Sequence, residues 1–273
     1  MTPGHDKARY DLLTFYVEAG VDSVLGETPV DRFADIDLVP AAPKPAPVAP
    51  ARQTRAAPPM LGANLPVIQA PPPPEEATTA ARAAAKSAGS LEELRAIMSA
   101  FEGCALRTTA KQLVFGDGSP QARLMFVGEA PGSEEDQKGI PFVGRSGQLL
   151  DRMLAAIGIA RQDVYIANIV PWRPPGNRDP SIHESQTCLP FIQRQIELVD
   201  PDVIVCLGKP STATLLGVAD GIRRTRGRWF KYDTGKREIR ATATFHPAYL
   251  LRTPIEKRFA WRDFMAIKKA LRQ

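Results

Sequence analysis

Cysteine and histidine are both scarce in this 273-residue chain, with three of each. Cys104, Cys188 and Cys206 are odd in number, far apart and without a C-x-x-C pair, which argues against a disulfide framework. The stretch MTPGHDKARYDLL lacks the apolar segment of an export signal, and no apolar run approaches the length of a membrane span. These absences predict a soluble, cytoplasmic protein in a reducing compartment, with no membrane partner. A large charge excess is missing too. The net charge of +5 favours an anionic partner such as nucleic acid, but no basic run is long enough to decide the matter.

Proline, by contrast, is abundant at 26 residues and unevenly placed. Residues 39–88 read VPAAPKPAPVAPARQTRAAPPM and then PPPPEEATTAARAAAKSAG, a Pro/Ala composition that buries no core. A semi-rigid or disordered linker is expected there, with at most a transient helix over 78–87. Residues 1–38 hold one amphipathic helical segment, KARYDLLTFYVEAG, ended by Gly20. Residues 89–273 form the remaining zone.

That zone alternates. SLEELRAIMSAF opens with Ser90 as a helix cap and Glu93 three positions on. Short apolar strands follow at RLMFVG (123–128), VYIANIV (164–170), VIVCLG (203–208) and EIRATATF (238–245), and helical patterns separate the first three. Continuous apolar strands alternating with helices indicate an α/β fold with a mostly parallel sheet covered on both faces. RGRWFKYDTGKREIRATATF predicts a hairpin turning near Asp233-Thr234-Gly235.

In such a sheet, ligands bind beyond the carboxyl ends of the strands. Three informative loops fall there. The first, 128–147, sets Glu129, Glu134, Glu135 and Asp136 among glycines. Carboxylates so placed position a water or offset a developing cation, or else form a solvated acidic loop. Gly144–Gly147 precede a helix whose amino end can take a phosphate. The second loop, NIVPWRPPGNR, puts the polar Asn168 inside an apolar strand. Its amide either bonds a neighbouring loop or reads the edge of a flat heterocycle. Arg173 and Arg178 suit a stiff loop pressed on a phosphate backbone, or an ordinary Pro-rich turn. The third loop is FHPAYLLR. His246 alone among the histidines directly follows a predicted strand.

The combination GEAPG…E…PFVG..GQLLD, N…RPPGNR and HPAYLLR, in this order over about residues 95–265, resembles the family-4 uracil-DNA glycosylases. The resemblance implies a three-layer α/β/α sandwich around a central four-stranded parallel sheet. It implies hydrolysis of the N-glycosidic bond of deoxyuridine in DNA, leaving an abasic site. By the same resemblance Glu129, Glu135 and His246 are catalytic, and Ala130, Phe142 and Asn168 bind uracil. Phe142 stacks on a base that has been flipped out of the duplex. Asn168 accepts from uracil N3–H and donates to O4, the reverse of what cytosine offers. His246 donates to uracil O2 as negative charge grows there. Ser146, Gly147, Lys209 and Ser211 at helix starts hold phosphates, as do Arg173 and Arg178. Pro247–Arg252 enters the minor groove. Which carboxylate dominates stays open.

The family usually carries a [4Fe–4S] cluster on four cysteines. Here only Cys104 and Cys188 match those positions; Phe101 and Trp172 replace the other two, and Cys206 lies within a buried-type strand. Two ligands do not hold an ordinary Cys₄ cluster. A cluster-free, metal-free enzyme without cofactor is expected, its two aromatics filling the vacated volume. We also expect a monomer acting near the nucleoid, with a repair or replication protein recruited through residues 1–88. Two other readings stay in play: a uracil- or abasic-DNA-binding module with little turnover, and a partner-binding scaffold built on the amino-terminal tail.

Overall fold

A computed structural model describes residues 74–272. The helical segment expected within 1–38 and most of the linker expected over 39–88 lie outside the described residues. The helices in chain order are α1 (Pro74–Ser87), α2 (Leu91–Ala100), α3 (Leu106–Thr109), α4 (Ser133–Lys138), α5 (Arg145–Ala156), α6 (Ile182–Val199), α7 (Lys209–Leu216), α8 (Ile222–Thr225), α9 (Pro247–Arg252) and α10 (Lys257–Ala270). The strands are β1 (Asp117–Gly118), β2 (Leu124–Gly128), β3 (Tyr165–Asn168), β4 (Val203–Leu207), β5 (Trp229–Asp233) and β6 (Glu238–Thr244).

They form one sheet in the order β1-β3-β2-β4-β6-β5. The inner four strands, β3, β2, β4 and β6, run parallel, as the apolar runs indicated. The sheet is wider than the expected four strands because each edge gains an antiparallel strand. At one edge β5 folds back on β6 through the expected hairpin, whose turn is fixed by Gly235 donating to Asp233 Oδ1 at 2.8 Å. At the other, the two residues of β1 pair with Tyr165 and Ile166.

Side-chain alternation along the strands builds two cores. Met125 and Val127 face Cys188, Ile192 and Ile196 of α6. Leu124 and Phe126 face Leu150 and Leu154 of α5 and Phe264 and Ile267 of α10. The result is the three-layer α/β/α sandwich. The second covering helix, α10, has no counterpart among the helices read from the sequence.

The expected linker boundary at residue 88 is corrected by the structure. Here α1 is a full helix, with Ala77, Ala81 and Ala85 buried, as is Ala88 directly after it. Spacings of three and four residues put these methyls on one face, against α6. Composition alone hides this, because alanine contributes little apolar area per residue but permits close helix approach. The cap of α2 forms as read: Ser90 Oγ accepts from Glu93 N–H at 3.1 Å. The Glu93 carboxylate bonds Gly89 N–H in return.

Candidate active site

The carboxyl ends of β2, β3, β4 and β6 open into one cleft of about 600 Å³. It is reached by Glu129 after β2, Asn168 at the end of β3, Gly208 after β4 and His246 after β6. Parallel register sets Gly128 directly beside Asn168. A methyl on Gly128 would lie 2.3 Å from Asn168 Oδ1 and 2.7 Å from the Phe142 ring, so only glycine lets these two side chains meet here.

Asn168 is buried, and its Oδ1 has no hydrogen-bond partner among the described residues. An orphaned buried acceptor costs on the order of 1–3 kcal/mol unless a ligand satisfies it. The Asn168 side chain is thus confined by packing against Gly128 rather than by a hydrogen-bonded lock on that oxygen.

Phe142 is buried at the cleft wall, its ring 5.5 Å from the His246 ring, centre to centre. Its backbone adopts φ 52°, a left-handed conformation that a bulky residue holds only under constraint. Arg161 supplies the constraint. It donates to the carbonyls of Pro141 at 2.7 Å and Phe142 at 3.0 Å. Asp117 and Asp151 fix its guanidinium at 2.7 and 2.8 Å. Sequence reasoning missed Arg161, which lies 19 residues from Phe142 and carries no motif signal.

His246 caps α9 by accepting Ala248 N–H on Nδ1 at 3.1 Å. That bond leaves the proton of the neutral ring on Nε2. Burial, aided by the Arg252 cation, pushes its pKa down to about 4, so the ring is neutral at physiological pH and offers an N–H donor. Glu129 is shifted the other way. Burial, with Asp179 nearby, raises it to about 7.

Glu135 is occupied differently from the sequence expectation. Its Oε1 accepts from Val143 and Gly144 N–H at 3.0 and 2.9 Å, and its Oε2 from Gly132 N–H at 3.1 Å. Three backbone bonds tie the two halves of the 128–147 loop together, so this carboxylate shapes the cleft from its wall.

The expected phosphate contacts divide. Ser146, Lys209, Arg178 and Arg252 line the cleft. Gly147 is buried instead, because α5 begins so close to the loop that a methyl there would meet the Phe142 carbonyl at 1.8 Å. Ser211 is also buried and turns its hydroxyl to the Leu207 and Gly208 carbonyls. Arg173 faces Asn177 Oδ1 at 2.7 Å and the buried Asp136 at 3.8 Å, not the cleft. Arg178 is gripped by both oxygens of Glu184, which lowers that carboxyl to about 2. Pro247 and Leu250 are buried because 247–252 is a helix, leaving Arg252 exposed.

Comparison with known proteins fits this arrangement. Residues 115–266 match the uracil DNA glycosylase superfamily. The chain belongs to that superfamily. The type-4 uracil-DNA glycosylase of Archaeoglobus fulgidus is 40% identical over 183 residues, 65% of this chain and 92% of that protein. That of Thermotoga maritima is 44% identical over 166 residues, 59% and 85% of the two chains. That of Sulfurisphaera tokodaii is 38% identical over 185 residues, 66% and 84%.

Two of the three cysteines meet inside the core. Cys188 donates to Cys104, sulfur to sulfur, at 3.8 Å. The bond lowers the Cys104 pKa, and the same bond with burial raises that of Cys188. Trp172 is fully buried in the core that holds both thiols. Phe101 packs edge-on against Phe191 at 5.0 Å. No third metal-ligating side chain joins the two thiols among the described residues. The residues at this place do not fit a four-thiolate cluster.

Proposed function

We propose that this chain excises uracil from DNA: it hydrolyses the N-glycosidic bond of deoxyuridine, releases the base and leaves an abasic site. The observation that carries the reading is the buried, unpartnered Oδ1 of Asn168, a residue that lines the cleft together with Phe142 and the neutral His246. A flipped uracil stacks on Phe142 and gives its N3–H to Asn168 Oδ1. Cytosine has no donor at N3 and leaves the acceptor unpaired, so the same oxygen discriminates the two bases.

Bond cleavage leaves negative charge on uracil and positive charge on the sugar. His246 Nε2–H donates to uracil O2 and stabilises the leaving anion without a prior proton transfer. Glu129, when ionised, stabilises the sugar cation and orients the water that adds to C1′. Glu135 positions the loop that carries Glu129, Ala130 and Phe142. Ser146, Lys209, Arg178 and Arg252 meet DNA phosphates around the cleft.

The burial of Trp172 in the core that holds both thiols, with Phe101 packed on Phe191, supports an enzyme without an iron–sulfur cluster. We further propose that it acts as a monomer on chromosomal DNA in the cytoplasm, with the residues before α1 recruiting a repair or replication protein. The test uses the full chain on end-labelled oligonucleotides holding one deoxyuridine or one deoxycytidine, followed by alkali. Scission at deoxyuridine and none at deoxycytidine, by a protein without absorbance near 400 nm, is expected. Binding without scission would favour a non-catalytic recognition module, and a brown sample would overturn the cluster-free reading.

A further inference from the structure

Next to the cleft lies a second recess of about 180 Å³. Its walls are Arg145, Gln148, Leu149 and Arg152 of α5, Leu251 of α9 and Lys257 at the start of α10. Positions 145, 148, 149 and 152 recur at the spacing that puts side chains on one helix face. The recess and the cleft share borders. On α5, Ser146 lines the cleft and Arg145 the recess; on α9, Arg252 lines the cleft and Leu251 the recess.

No carboxylate lines this recess. Asp151, the acid that follows in the sequence of α5, is held by Arg161 at 2.8 Å. Arg145, Arg152 and Lys257 are all exposed, and none of them forms an ion pair among the described residues. A single exposed arginine is ordinarily just solvated. Three cations converging on one concavity repel one another and leave a site that an anion relieves. The floor beneath them is Leu149 and Leu251, an apolar surface that suits the face of a sugar.

We propose that this recess is a phosphate subsite that grips the DNA backbone beside the flipped nucleotide. The proposal rests on the uracil-excision reading for its orientation, since Arg145 and Leu251 of the recess stand next in sequence to Ser146 and Arg252 of the cleft that receives the base. Each phosphate seated among Arg145, Arg152 and Lys257 displaces condensed counterions, which makes the grip salt-dependent.

The experiment measures binding of the full chain to a duplex oligonucleotide carrying one reduced abasic site, over a series of salt concentrations. Four proteins are compared: wild type, Arg145→Ala/Arg152→Ala/Lys257→Ala, Arg145→Lys/Arg152→Lys, and Lys86→Ala on α1 as a distant control. The slope of log affinity against log salt should fall by about 0.9 for each phosphate that the triple alanine variant no longer neutralises. It should hold in the lysine variant and in Lys86→Ala. In steady-state excision the triple variant's defect should fall on KM rather than kcat. An unchanged slope in the triple variant overturns the subsite. So does a lysine variant that loses the slope equally, because charge would then not be the cause. A wild-type protein that releases no uracil overturns the excision reading instead, and the binding slopes still decide the recess.

Discussion

Arg161 holds Phe142 in place by its backbone: the guanidinium donates to the Phe142 carbonyl at 3.0 Å while Phe142 sits at φ 52°. The aromatic platform of the cleft is thus set by a residue outside it, itself fixed by Asp117 and Asp151. Arg161→Ala removes four charge-assisted bonds, two to the Pro141 and Phe142 carbonyls and two to Asp117 and Asp151, and so leaves both carboxylates unpaired. A stability loss of about 1.5–3 kcal/mol is expected in urea denaturation. Excision should fall further than that loss explains, because Phe142 is released from its left-handed conformation. An unchanged kcat would show that Phe142 holds its position without Arg161.

On the proposed reading, Glu129 should set the acid limb of the pH profile. Burial and Asp179 raise its pKa to about 7, so the carboxylate becomes fully available only above neutrality. The kcat/KM for uracil release should rise with pH through about 7 and then level. Glu129→Gln should lower the rate by about 10²–10⁴-fold and flatten that limb. Retention of the limb in the variant would assign it to another group.

His246 should contribute no break near the usual histidine value. Its pKa lies at about 4, lowered by burial and Arg252, so it stays a neutral donor across the working range. If His246 is the proposed donor to the departing anion, His246→Ala should cost about 10²–10³-fold in kcat. The stability effect has a definite sign. The unfolded chain takes up this proton first, so native stability contributed by neutral His246 is present above about pH 6.5 and lost as pH falls towards 4. Urea titrations of wild type and His246→Gln at about pH 7 and about pH 4.5 should show wild type losing more stability between the two.

Gly128→Ala tests the close packing at the pocket floor. The added methyl would lie 2.3 Å from Asn168 Oδ1 and 2.7 Å from the Phe142 ring. Displacing these groups by about 1 Å should cost on the order of 10²-fold in excision. Unaltered kinetics would mean the floor has slack that the packing does not suggest.

The parallel strands were legible because each is a short, continuous apolar run bounded by glycine or polar residues, as in LMFVG and VIVCL. The position of Asn168 and His246 at strand ends followed from that pattern, whereas the order of the strands in the sheet did not. What stayed hidden depends on contacts between distant residues. Nothing local marks Arg161 as a clamp on Phe142, or shows Glu135 committing its oxygens to Gly132, Val143 and Gly144. Ser211 and Gly147 look like phosphate ligands from their places at helix starts, and both are buried. The alanine face of α1 reads locally as tether, because only α6 opposite it shows what those methyls pack against.

The most direct test of the account compares wild type with Asn168→Ala on one substrate. The full chain is incubated with an end-labelled oligonucleotide holding a single deoxyuridine, and alkali-labile scission is followed with time. The account predicts scission by the wild type and a loss of at least about 10²-fold in the variant, because the unpartnered acceptor at the pocket floor is what holds the base in register. Equal scission by both proteins, or none by a folded wild type, would contradict it.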